Sequence, residues 1–163
     1  MLFSRELLPI YLNDHLAGAT AGCELARRAA RANKGTETGD FLEQFAAQTE
    51  AHRAQLEDVM ARLGVGRDPL KVGGAWLAEK AGRLKLNGRL LDYSPLSRVL
   101  ELESLIIAVQ GRQSLWRTLW LAAPDNPPIA DIDFATLVEE SERHLASLKE
   151  HHADAVEMML SAR

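Results

Sequence analysis

Two tetrads carry the residues best suited to chemistry: Thr49-Glu50-Ala51-His52 and, ninety-two residues later, Ser141-Glu142-Arg143-His144. Each lies inside a long amphipathic pattern that directs its histidine into a helical core. Imidazole binds metals and carries protons near neutral pH, so a facing histidine pair could hold an ion or move a proton. Residues three apart share a helix face, so a carboxylate at position 49 or 141 would meet its histidine at a common metal. Threonine and serine stand there instead. Glu50 and Glu142 are displaced by one residue, about 100° around the helix, and should point away from the seam.

Four long helices must position these histidines, expected at about 5–33, 39–63, 95–121 and 133–161. In the first, Leu12, Leu16, Ala19, Cys23, Ala26 and Ala30 recur at steps of three and four, and Lys34-Gly35 stops it. Ala17, Gly18, Ala19, Ala21 and Gly22 make its middle narrow, which favours close helix approach over a ligand cavity. The second starts near Thr38 or Asp40, with Asp40 and Glu43 at capping-box spacing, and Gly64-Val65-Gly66 ends it. Its seam is Leu42, Phe45, Thr49, His52, Leu56, Val59 and Leu63. The third opens at Ser94-Pro95 and is apolar on more than one face. Trp116, Leu119, Trp120 and Leu121 continue that excess, which suits a subunit interface. After the break at Pro124 to Pro128, Asp131 or Asp133 caps the fourth. Between the second and third helices, Asp68-Pro69 opens a short extra helix over about 69–86. A crossover of this length lets the third helix begin at the same end as the second.

Helix 4 also lies on helix 2 when shifted by ninety-two residues: Leu42 meets Phe134, Phe45 meets Leu137, His52 meets His144 and Leu56 meets Leu148. This implies approximate internal two-fold symmetry. The four helices, the long crossover and the paired histidines resemble the ferritin-like superfamily, the rubrerythrins, bacterioferritins and their relatives. The resemblance implies an all-α, single-domain, ferritin-like four-helix bundle over 1–163 and, in the family at large, a di-metal carboxylate site. This chain departs from it at Thr49 and Ser141, where the family places glutamate. Reflecting the histidines through the connecting turns lands near Ala19 or Thr20 on helix 1 and near Ala108 to Gly111 on helix 3, none of them carboxylates. Glu24 lies about one turn, ~5 Å, from the expected level, and Glu103 is further off.

The expected function is therefore that of a non-enzymatic ferritin-like protein that has lost its di-iron site and acts in interaction or structure, with no cofactor. The alternative is a mononuclear metal-binding or oxidoreductase protein. It would hold a single iron or zinc ion on His52, His144 and Glu24, with His15 or His151 nearby. A further alternative is a small-ligand carrier, with Gly18 and Gly22 leaving a mid-bundle cavity. The simplest reading of the histidines is as core groups bonded to Thr49, Ser141 or each other. Cys23 is the single cysteine and is expected to be inert. No nucleophile elbow, phosphate-binding glycine loop or hydride-cofactor fingerprint is present.

Composition agrees with this class. The 163 residues are 47% hydrophobic and 26% charged, ordinary for a globular domain. A net charge of −4 disfavours nucleic acid. No apolar run approaches the ~20 residues that span a bilayer, and the opening residues lack a signal peptide's apolar core. A cytoplasmic homodimer, without nucleic-acid or membrane partners, is the expectation.

Overall fold

The computed structural model describes Ser4 and residues 6–68 and 93–162. The expected crossover helix at about 69–86 lies outside them. Four α-helices dominate: α1 (Leu7–Ala32), α2 (Glu37–Arg62), α3 (Pro95–Ala122) and α4 (Phe134–Ser161). Two 3₁₀ turns, Ala123–Asp125 and Pro127–Ile129, join α3 to α4. No strand occurs among the described residues, which are all-α. No described helix is long and apolar enough to cross a membrane.

The helix ends follow from local chemistry. Ser94 caps α3 by accepting the Ser97 N–H, with Pro95 in the first turn. Asp133, rather than Asp131, caps α4 by accepting the Thr136 N–H. The cap of α2 differs from expectation. Thr36 accepts the Gly39 N–H at 3.1 Å, so Thr38 and Asp40 fall inside the first turn. Gly64, at φ +68°, ends α2. Its N–H bonds Ala61 O while Val65 N–H bonds Met60 O, a Schellman pattern.

Gly39 is required for a different reason. A β-carbon there would stand 2.1 Å from the Asn33 carbonyl oxygen, so the end of α1 and the start of α2 touch backbone to backbone. Gly39→Ala is expected to lower stability by about 1–3 kcal/mol, as overpacking does. A urea midpoint unchanged by the substitution would show that the turn has room to relax.

α1 packs antiparallel to α2, and α3 to α4, forming two helical hairpins. The hairpins meet at close range through α1 and α3, and more widely through α2 and α4. Arg28 near the end of α1 bonds Glu101 near the start of α3, and Tyr11 bonds Thr118 at the other end, so these helices also run antiparallel. Asn33, in the α1–α2 turn, donates to Tyr93 at 2.7 Å. The third helix therefore begins at the end where the second begins, as the long crossover requires.

The interior has three levels. One apolar cluster gathers Leu12, Leu16, Val59, Trp116 and Phe134. A second gathers Ala26, Leu42, Phe45, Leu102 and Leu148 toward the other end. A polar layer lies between them, and both histidines belong to it.

Candidate functional site

α2 and α4 deliver His52 and His144 as their seams predict. The two residues are 5% and 8% exposed, and their ring centroids lie 5.8 Å apart, edge to face. The off-seam glutamates point outward: Glu50 pairs with Arg27 and Arg53, and Glu142 with Gln113 and Arg117.

The partners of the histidines come chiefly from α3. Its core-facing seam runs Leu102, Leu105, Val109, Arg112, Trp116, Leu119 at steps of three and four, with a half-buried arginine in the middle of buried apolar residues. Trp116 Nε1 donates to His52 Nδ1 at 3.2 Å. Arg112 Nη2 donates to His144 Nδ1 at 2.6 Å, and Arg112 Nε donates to Ser141 Oγ at 3.3 Å. Indole and guanidinium nitrogens donate and never accept, so both Nδ1 atoms must be acceptors. Each neutral ring then carries its proton on Nε2. That of His144 faces Gln48 Oε1 at 2.7 Å, and that of His52 faces Glu140 at 3.5 Å. The hydroxyls expected to bond the histidines do not. Ser141 engages Leu137 O and Arg112, while Thr49 Oγ1 is buried without a hydrogen-bond partner among the described residues.

Electrostatics follow from burial. Desolvation, aided by the nearby Arg112 charge, pushes the His52 pKa down to about 3 and that of His144 to about 4. Both are neutral at physiological pH. Burial lowers Arg112 to about 10, with Glu140 acting in the opposite sense, so it stays charged. Arg112 Nη1, like Thr49 Oγ1, is buried with no partner among the described residues. Burial and Glu50 raise the Cys23 thiol to about 12, which leaves it protonated and unreactive.

The polar layer borders a cavity of about 530 Å³ between α1, α2 and α3. Its walls are mostly aliphatic or small, among them Gly18, Gly22, Leu105 and Ala108; Thr49, His52 and Arg112 supply polar groups. A β-carbon on Gly18 would meet nothing within 4 Å, and one on Gly22 would reach only Ala108, at 3.7 Å. The small residues of α1 thus leave space rather than bringing backbones into contact, contrary to the close approach expected of them. On the opposite side of the histidines, a groove of about 470 Å³ between α2 and α4 is lined by Gln48, Glu140 and Arg143.

The metal candidates divide. His52 and His144 come together, with both Nδ1 lone pairs taken by N–H donors. Glu24 is exposed and stays apart from them. His15 lines the far wall of the cavity and packs edge-on against Tyr11 at 4.6 Å. His151 stacks on Phe41 at 4.3 Å, and Glu103 faces His152. Among the described residues, no three His, Cys, Asp or Glu side chains converge as a metal site. The one buried carboxylate among them, Glu101, is held by Arg28 and Tyr93.

Arg112 and Trp116 are the residues that sequence reasoning missed. Reflection placed the site near Ala108 to Gly111 and sought a carboxylate; Arg112 is the next residue. Its signal was a cation on an otherwise apolar seam. The apolar excess of α3 also divides: Trp116 and Leu119 are fully buried, while Trp120 and Leu121 are exposed. The chain matches no protein-family model, no curated protein and no solved structure at significant similarity.

Proposed function

We propose that this protein is a ferritin-like bundle whose mid-bundle layer binds a small organic molecule in place of a metal pair. Three features support the ferritin-like ancestry. The helices form two antiparallel hairpins, a long crossover joins them, and the histidines face each other at one level. The observation that carries the binding reading is the cavity of about 530 Å³ beside His52, within the size range of small-molecule sites. A metal on the histidines would have to displace the Trp116 and Arg112 donors from both Nδ1 atoms, and among the described residues no three ligands converge there, Glu140 standing at the rim 3.5 Å from His52 Nε2.

The test uses a neutral apolar fluorophore, N-phenyl-1-naphthylamine. We expect saturable one-to-one binding, weakened in Gly18→Leu, whose side chain would take up part of the cavity. That variant should unfold no earlier than the wild type, because leucine exceeds glycine in helix propensity by about 0.8 kcal/mol and its β-carbon enters open space. Absence of saturable binding, or equal binding to the filled variant, would remove the reading.

A further inference from the structure

The cavity reading leaves the chemistry of the ligand open, and the polar wall narrows it. Burying a charged group without a counter-charge is among the least favourable arrangements in a protein interior. Arg112 nevertheless sits in the mid-bundle layer with two of its nitrogens engaged by neutral acceptors, Ser141 and His144, and the third, Nη1, engaged by none of the described residues. Thr49, 8% exposed, lines the same cavity, and its buried Oγ1 also has no partner among the described residues. Both atoms have almost no accessible surface, so the wall must yield slightly to present these two donors, one of them cationic, to the aliphatic chamber beside them.

The surrounding charges do not complete Arg112. His52 and His144 are neutral. Arg53 also lines the cavity but is committed to Glu50 and Glu57. Glu140 approaches His52 Nε2 at 3.5 Å from the α4 side and is partly exposed, so it acts on Arg112 only at a distance and leaves the cation uncompensated on the cavity side. Asp14, on the α1 wall, is exposed and would repel an anionic head, which favours the α2–α3 side for it.

Resting on the cavity reading above, we infer that the ligand is an amphiphilic monocarboxylate, its carboxylate between Arg112 Nη1 and Thr49 Oγ1 and its apolar body along Leu105, Ala108 and Gly18. Two donors match the two oxygens of a carboxylate, and a single uncompensated cation matches one negative charge. A phosphomonoester, with nearly two charges and three acceptor oxygens, would exceed what the wall supplies.

Displacement of the neutral fluorophore by decanoate, 1-decanol and decyl phosphate at pH 7.5 tests this. Decanoate should bind at least about tenfold more tightly than decanol, the scale of one charge-assisted hydrogen bond, and more tightly than decyl phosphate. Arg112→Met should bring decanoate and decanol to near parity while fluorophore and decanol still bind, which also reports that the variant is folded. Thr49→Val, nearly isosteric, should reduce the preference without abolishing it. If the fluorophore binds but the wild type does not prefer decanoate, or keeps its preference in both variants, the carboxylate inference fails and the cavity reading stands. Tighter binding of decyl phosphate would overturn the single-charge argument. No fluorophore binding at all would overturn the cavity reading itself.

Discussion

Trp116→Ala is expected to destabilise the protein by about 3–5 kcal/mol, the cost of emptying a large aromatic site from a packed core. Trp116 is fully buried in the apolar cluster with Leu12, Leu16, Val59 and Phe134, and its ring lies 6.2 Å from that of Phe134. It also has a polar task, since its N–H is the donor that His52 Nδ1 accepts. Trp116→Phe separates the two roles. It keeps most of the apolar volume and removes the donor, leaving a buried acceptor unpaired at about 1–3 kcal/mol. Urea unfolding monitored by circular dichroism measures both. A loss below ~1 kcal/mol for Trp116→Ala would mean that the indole is not the anchor of this end of the bundle. A neutral Trp116→Phe would mean that water replaces the lost donor.

The second large effect is acid destabilisation well above the carboxylate range. His52 and His144 titrate near 6.5 in the unfolded chain and near 3 and 4 in the folded protein. Between these values the unfolded chain binds more protons than the native state, so stability rises with pH and falls as pH drops. The loss begins as pH falls through about 6.5 and continues until the folded-state values are reached. Each histidine contributes about 1.4 kcal/mol per pH unit, so the pair removes up to about 5 kcal/mol between pH 6.5 and 4.5. His15, also lowered by burial, adds in the same direction. Burial chiefly holds the pair neutral, aided by Arg112, in contact with His144, and by Arg143 beside it; Glu140 faces His52 from the rim. Urea midpoints at pH 7.5, 6 and 5 should fall steadily, and His52→Gln should remove about half of the slope. A flat profile from pH 7.5 to 5 would show that water reaches both rings.

Much of the scaffold was legible because its signals are local. Ser94-Pro95, Asp133, Gly64 and the three-and-four spacing of Leu42, Phe45, Thr49, His52 and Leu56 each act within one or two helical turns. Where local rules competed, the sequence reading erred. Thr36 caps α2 in place of Thr38 or Asp40, because Gly39 must sit inside the helix against the Asn33 carbonyl.

By itself, the sequence determined that the described chain is helical, where most of the described helices start and stop, and that His52 and His144 occupy buried seam positions while Glu50 and Glu142 do not. These follow from backbone geometry and periodicity, which relate residues no more than a few positions apart. Only the tertiary structure decided what the histidines do. Their donors, Trp116 and Arg112, lie 64 and 32 residues away in the chain and meet them because α3 packs against α4 and its long side chains reach across the core to α2. The cavity was likewise beyond reach. Gly18 and Gly22 permit close approach or open space equally, and the outcome depends on how near α3 comes, which is a property of all the side chains between the helices.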